Sequence, residues 1–174
     1  VKYVDIIIPR GSQQLIDFVR EHSKVPTIET GAGVCHTYIE STANLEDAAN
    51  IVINAKTQRP SVCNALDTII VDKKIVDEFL PKLLNGFSKF EVEVFADEYA
   101  FQILEKSDYK NLKKATEDNF GMEYLSQKCS VKTVNNFDEA IEHINKYSSK
   151  HSEAIISQDI QLCERFLNEV DAAA

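Results

Sequence analysis

The feature that most constrains this chain of 174 residues is a repeated alternation of short apolar runs with amphipathic helical patterns. Compact runs of branched apolar residues are typical of buried strands, and apolar residues spaced three and four apart indicate helices. Such alternation predicts an α/β layered fold with a largely parallel sheet, because parallel strands need a crossover between them. The predicted strands are 3–9, 25–29, 34–40, 67–72, 90–96, 129–134 and 153–157, and the predicted helices are 12–22, 44–56, 74–84, 98–106, 137–149 and 160–170.

Charge and composition exclude several classes of partner. The formal net charge is −9, divided into −2 for residues 1–87 (9 basic, 11 acidic) and −7 for residues 88–174 (10 basic, 17 acidic). Nucleic-acid binding needs clustered Lys and Arg, so we expect no nucleic-acid partner. No apolar run approaches the ~20 residues that span a bilayer, so we expect no membrane partner.

The four cysteines are widely spaced and include no C-x-x-C pair. The cysteines and histidines do not have the spacing of a zinc site, so no metal is expected. This spacing in a chain of ordinary length predicts reduced thiols and a cytoplasmic protein. The chain opens at Val1 inside an apolar run and its one methionine is Met122, from which we expect a piece of a longer protein.

One cysteine, Cys63, lies in the stretch "NAKTQRPSVCNALDTIIVD" between a predicted helix and a predicted strand. Pro60 cannot continue the helix, so residues 58–66 are predicted to form a connection, where active sites often lie. Lys56 and Arg59 are near in sequence, and positive charge favours the reactive thiolate. The residues alone leave two interpretations open: a buried core thiol or a nucleophile.

Three further stretches contain candidate residues. In "IIIPRGSQQLI", Gly11 and Ser12 connect a strand to a helix, which suits either phosphate binding or simple capping by Ser12. Glu29 ends a predicted strand and is a candidate general base. Cys35 and His36 are strand neighbours that face opposite ways, so Cys35 is predicted to be a core residue. For "EDNFG" (117–121) the residues alone predict a loop.

Five stretches carry a resemblance to a known family: "VDIIIPRGS", "VPTIETGAGVCHTYIE", "NAKTQRPSVCNALDT", "DEAIEHINKYSSKHSEAI" and "FLNEVDAAA". Together they resemble gamma-glutamyl phosphate reductase, also called glutamate-5-semialdehyde dehydrogenase, of the aldehyde dehydrogenase superfamily. The resemblance implies an aldehyde-dehydrogenase-like catalytic domain. It also implies NADPH-dependent reduction of L-glutamate 5-phosphate to L-glutamate 5-semialdehyde, with release of phosphate, in proline biosynthesis.

By position, the resemblance implies that Cys63 is the nucleophile. The oxyanion of such a reaction needs hydrogen-bond donors, for which we expect the Cys63 backbone N–H and, as the second, Asn64 or a residue of the domain that this chain lacks. Gly11 and Ser12 match the turn that lies against the dinucleotide pyrophosphate. Asp118 and Phe120 match a segment that contacts the nicotinamide ribose and ring in hydrolytic relatives.

Arg59 and Lys56 are the nearest basic groups to Cys63, so we expect them to meet the phosphate or the substrate carboxylate. Glu29 falls near the general-base glutamate of hydrolytic relatives, which a reductase acting on an acyl phosphate does not need. Two alternatives therefore stay open: a hydrolytic aldehyde dehydrogenase, and a module that has the fold without the chemistry.

The resemblance also implies a domain organisation and partners. Residues 1–28 match the end of the cofactor-binding domain, as a strand, a turn and a helix, and residues 29–174 match the catalytic domain. A homo-oligomeric full-length enzyme, an acyl-phosphate substrate and glutamate 5-kinase as a partner are expected. A fragment of this length is expected to be inactive alone.

Overall fold

The computed structural model describes residues 3–11, 13–29 and 31–174. The chain divides into two compact units, Val1–Ala32 and Gly33–Ala174. The assignment of these parts to a cofactor-binding and a catalytic domain stays a prediction.

The first unit contains one helix, α1 (Gln13–His22), and a parallel bridge between Ile7 and Thr27. Two backbone hydrogen bonds accompany the bridge, from Ile7 N to Pro26 O (3.0 Å) and from Ile28 N to Ile7 O (2.9 Å). The predicted strands 3–9 and 25–29 are thus reduced to a single bridge. Within the described residues, neither run has a second neighbour to extend the ladder.

The second unit alternates strands and helices, as predicted. Its elements are β1 (His36–Ile39), α2 (Leu45–Thr57), β2 (Thr68–Asp72), α3 (Val76–Lys89), β3 (Glu93–Ala96), α4 (Glu98–Lys106), β4 (Leu112–Lys114), α5 (Glu117–Phe120), β5 (Lys128–Val134), α6 (Phe137–Tyr147), β6 (Glu153–Ile156) and α7 (Ile160–Glu169). The strands form one sheet in the order β4-β3-β5-β2-β1-β6, and every pairing is parallel.

Helices cover both faces of the sheet, because successive apolar side chains of strand β2 point to opposite faces. Ile69 and Val71 belong to one core cluster, which includes residues of α2, α3 and α4. Ile70 belongs to a second cluster with residues of α6 and α7. All five residues of β2 are buried, which explains why residues 69–71 at its centre are all apolar.

Two short elements and one helix end differ from the sequence predictions. The predicted loop "EDNFG" contains the single turn α5, where the Thr116 N–H donates to Asn119 Oδ1 (2.8 Å). Strand β4 has only three residues at the sheet edge. Helix α3 passes Pro81 and continues to Lys89, because Leu83 and Phe87 extend its buried face beyond the lost backbone hydrogen bond.

Four segments enter the sheet at the amino ends of their strands, and we call this edge the amino edge. It consists of residues 33–35 before β1, 58–67 before β2, 121–127 before β5 and 148–152 before β6. No helix in the described part of the chain is long and apolar enough to cross a membrane.

Candidate active site

Cys63, the predicted nucleophile, lies in a turn at the amino edge (residues 58–67), which we call the nucleophile turn after that prediction. Helix α2 ends at Thr57, and the turn is closed by hydrogen bonds from Val62 N to Arg59 O (3.4 Å) and from Ala65 N to Val62 O (3.0 Å). Cys63 is exposed, whereas Ala65 and the residue after it are buried. The predicted connection is confirmed, and in the described structure Cys63 is not a core thiol.

The backbone of Gly33 lies directly against Cys63. A Cβ atom at position 33 would stand 1.9 Å from Cys63 O and 2.9 Å from Cys63 Cβ. Any side chain there would displace the nucleophile turn, so Gly33 is required for the position of Cys63. Gly33 is itself held by a hydrogen bond from its N–H to Glu123 Oε1 (2.8 Å).

Beneath the turn, the Cys35 thiol donates to the carbonyl oxygen of Cys63 (3.3 Å). Burial, with the nearby Asp67 and Glu153 carboxylates, raises the pKa of the Cys35 thiol to about 12, so it remains a neutral donor. The predicted core position of Cys35 is confirmed. His36 faces away, with Nδ1 3.1 Å from Glu153 Oε2.

Lys56 does not lie where the sequence prediction placed it. Its side chain is fully buried, and Nζ donates to Leu66 O (2.7 Å) and lies 3.8 Å from Asp67 Oδ1. A substrate phosphate or carboxylate in solvent does not reach this ammonium. The expectation that Lys56 binds substrate is therefore corrected: it supports the nucleophile turn from inside.

Asp67 ends the nucleophile turn and is also buried. Its carboxylate accepts hydrogen bonds from Cys35 N (3.3 Å) and Tyr124 N (3.0 Å). Burial raises the pKa of Asp67 to about 6, and the Tyr124 and Cys35 N–H groups and the Lys56 ammonium oppose that shift only in part.

Arg59 and Asn64 are exposed in the same turn as Cys63. Within the described residues, the backbone N–H groups of Cys63 and Asn64 donate to no recorded acceptor. Two unpaired donors beside an exposed thiol are suited to an oxygen that develops negative charge.

The other segments of the amino edge complete the surroundings. The Val34 N–H donates to Ser149 Oγ (2.8 Å), which joins the segment before β6 to the residues that contact the nucleophile turn. Sequence reasoning missed Gly33, Asp67, Glu123 and Ser149, because their roles depend on tertiary contacts. One signal was present for Asp67: a carboxylate directly before a strand whose centre, residues 69–71, is apolar.

The residues predicted to contact the cofactor belong to two parts of the chain. The Phe120 ring is buried, edge-on to the His143 ring at 5.1 Å, and Asp118 is exposed on α5. Gly11 lies in the first unit with φ of 155°, and Ser12 lies outside the described residues. Glu29 also lies in the first unit, where its carboxylate is 3.4 Å from Arg20 Nη1.

The sequence of the chain is similar to those of known proteins. No protein-family model matches the chain. A gamma-glutamyl phosphate reductase of Chlorobaculum parvum is 53% identical over 175 residues, covering 100% of this chain and 41% of the relative. The chain therefore spans about two fifths of the length of the curated relatives it matches.

Solved structures give the same result. A gamma-glutamyl phosphate reductase from Thermotoga maritima superposes with a TM-score of 0.90 at 43% identity, covering 99% of this chain and 41% of that one. An acetylating aldehyde dehydrogenase from Geobacillus thermoglucosidasius (TM-score 0.69, 21% identity, 97% and 44% coverage) shares the fold. So does an NADP-dependent glyceraldehyde-3-phosphate dehydrogenase from Bacillus halodurans, solved with NADP (TM-score 0.77, 13% identity, 98% and 43% coverage).

The predicted aldehyde-dehydrogenase-like α/β fold is thus confirmed. Along its whole length the chain is similar to a segment of gamma-glutamyl phosphate reductase, as its motifs predicted.

Proposed function

We propose that the chain carries the nucleophile of a gamma-glutamyl phosphate reductase, which reduces L-glutamate 5-phosphate to L-glutamate 5-semialdehyde and phosphate. The observation that carries this proposal is the exposed Cys63 thiol in a turn whose Cys63 and Asn64 N–H groups are unpaired among the described residues. The similarity to reductases over the whole chain supports the choice of reaction.

In the first step, the Cys63 thiolate forms an S–C bond to the acyl carbon and the C–O bond to phosphate breaks. The departing phosphate takes one proton from solvent. Arg59 is exposed in the same turn, and we expect its guanidinium to bind the phosphate or the substrate carboxylate. The product is a thioester on Cys63.

NADPH, when bound, would supply a hydride, which carries the two electrons that reduce the acyl carbon. Addition to the thioester carbonyl places negative charge on its oxygen, which the N–H groups of Cys63 and Asn64 stabilise. Loss of such a donor typically costs about 3 kcal/mol of transition-state stabilisation. The S–C bond then breaks, its electron pair returns to sulfur, and the aldehyde leaves.

The first unit supplies the candidate cofactor contact. Gly11 precedes α1, and the positive end of the helix dipole at a helix start suits a phosphate. The likeness to a fold solved with NADP supports a dinucleotide. Phe120 fits less well, because its ring is packed against His143. We also propose, from the resemblance alone, that the full-length enzyme is a cytoplasmic homo-oligomer that receives its substrate from glutamate 5-kinase.

The test runs the reaction in reverse with the full-length protein, supplying glutamate semialdehyde and NADP and following NADPH. We expect a rate that requires phosphate and is lost in Cys63→Ala. Cys163→Ala is the matched control, since that half-buried thiol lies on α7, outside the amino edge. Turnover without phosphate that is lost in Glu29→Gln would indicate a hydrolytic dehydrogenase, and no turnover in a folded protein would indicate a non-catalytic module.

A further inference from the structure

Asp67 occupies the junction at which three segments of the amino edge meet. Its carboxylate accepts from the backbone of Cys35 before β1 and of Tyr124 before β5, and its own backbone continues the nucleophile turn into β2. The Asp67 N–H also donates to Cys35 O (3.0 Å), and Ser130 N donates to Asp67 O (2.8 Å). The residue is therefore bonded on both its side chain and its backbone.

Lys56, in the last turn of α2, is a second residue that fixes the position of the turn. Its ammonium donates to Leu66 O, the carbonyl directly before Asp67, and faces the Asp67 carboxylate. The thiol of Cys35, whose backbone N–H is held by Asp67, donates in turn to Cys63 O. Cys35 thus links the two sites, with one hydrogen bond from its backbone N–H to the Asp67 carboxylate and one from its thiol to the carbonyl of Cys63.

We propose that Asp67, with Lys56 as its partner, is a positioning residue that holds the nucleophile turn in the geometry from which Cys63 attacks. The inference deepens the proposed function and rests on it. Asp67 touches neither the substrate nor the reacting atoms, and acts through Cys35, Leu66 and the backbone of the turn.

The charges of the pair indicate a role other than stability. Burial raises the pKa of Asp67 and lowers the pKa of Lys56, so burial disfavours both ionised groups more than their pairing at 3.8 Å favours them. Buried ion pairs of this kind can often be replaced by neutral groups without loss of stability.

A pH dependence follows from the same environment. The groups that face Asp67 are Lys56 on α2, Cys35 before β1, Cys129 on β5, and Glu123 and Tyr124 before β5. The thiols have pKa values of about 12 and stay neutral in acid. Asp67 itself, with a pKa of about 6, changes charge there, and its protonation weakens its hold on the Cys35 and Tyr124 N–H groups.

The experiment measures the rate at which iodoacetamide alkylates Cys63 in the full-length protein, localised by mass spectrometry, from pH 5 to 8. Asp67→Asn keeps the shape and removes the charge. We expect its rate above pH 7 to fall by ten- to about a hundredfold, and the ratio of wild-type to variant rate to shrink towards one below pH 6. The ratio cancels the ordinary dependence of alkylation on thiolate.

Two further variants separate positioning from folding. Lys56→Met with Asp67→Asn removes both buried charges, so we expect a folded protein whose Cys63 stays slow. Glu40→Gln is the matched control: Glu40 is a buried carboxylate at the opposite end of β1, bonded to Ser41, Thr42 and Ser157. We expect its alkylation rate to stay within twofold of the wild type.

The proposal is overturned if Asp67→Asn or the double variant reacts within twofold of the wild type, or if the rate ratio is the same at every pH. A pH-independent loss would mean a merely structural role. Failure of the proposed function is seen separately, as reverse turnover that survives Cys63→Ala, because alkylation needs no substrate.

Discussion

At the scale of single residues, helical phase explains why Lys56 and Arg59 differ although both lie close to Cys63 in sequence. Lys56 continues the buried series of Ala48 and Val52 at intervals of four on α2, whereas Arg59 lies beyond the helix end. The series is visible in the sequence, so the burial of Lys56 was predictable. The contact of Lys56 with Asp67 was not predictable, because it depends on how the turn between them folds back.

The contact between Gly33 and Cys63 gives a prediction for the same turn. In Gly33→Ala the new methyl group meets backbone atoms of Cys63 that cannot rotate away. We expect about 1–3 kcal/mol of lost stability and alkylation of Cys63 at least about tenfold slower. Gly31→Ala is the control, since nothing lies within 4 Å of its added Cβ. Equal behaviour of the two variants would show that the close approach has no role.

At the scale of elements, the predicted order of strands and helices in the second unit is confirmed because long periodic patterns define most of it. Strand β4 and helix α5 were missed because three- and four-residue elements have no periodicity to read.

The position of the site was less predictable than the order of the elements. Ligands in open parallel sheets usually bind at the carboxyl ends of strands, whereas Cys63 lies at the amino edge, before β2.

Helix caps give a prediction at this scale. Asp97 caps α4 through Ala100 N (3.0 Å) and also accepts from Thr133 N of β5 (2.6 Å). Asn44 caps α2 alone, through Glu46 N and Asp47 N. We expect Asn44→Ala to cost about 1 kcal/mol and Asp97→Ala about 2–4 kcal/mol, because it also breaks a charge-assisted bond between elements.

Urea unfolding followed by circular dichroism measures both costs. The two variants have similar helix-capping chemistry, so their difference reports the link between α4 and β5. If Asp97→Ala costs no more than Asn44→Ala, the bond to Thr133 contributes nothing to stability.

At the scale of the whole molecule, two buried groups make stability depend on pH in opposite directions. Burial lowers the pKa of His143 from 6.5 to about 3, with the charges of His36 and Lys132 in the same direction. Its contribution is present above pH 6.5 and is lost as pH falls, since the unfolded chain binds a proton that the folded chain does not. The pKa of Asp67 is raised from 3.8 to about 6. As pH rises between these two values, the folded chain holds a proton that the unfolded chain has already lost, so the free energy of unfolding decreases.

Between pH 6 and 4 the two contributions therefore oppose each other, each changing the free energy of unfolding by about 1.4 kcal/mol per pH unit. His143→Phe removes the contribution of His143. On acidification from pH 6 to 4, its free energy of unfolding should therefore rise by about 3 kcal/mol relative to that of the wild type. Asp67→Asn removes the contribution of Asp67, so its free energy of unfolding should fall by a similar amount relative to the wild type over the same change in pH. Urea unfolding of the three proteins at both pH values decides this. All other carboxylates are common to them, so relative changes of the same sign would mean that at least one of the two groups is not buried in the charge state inferred from its surroundings.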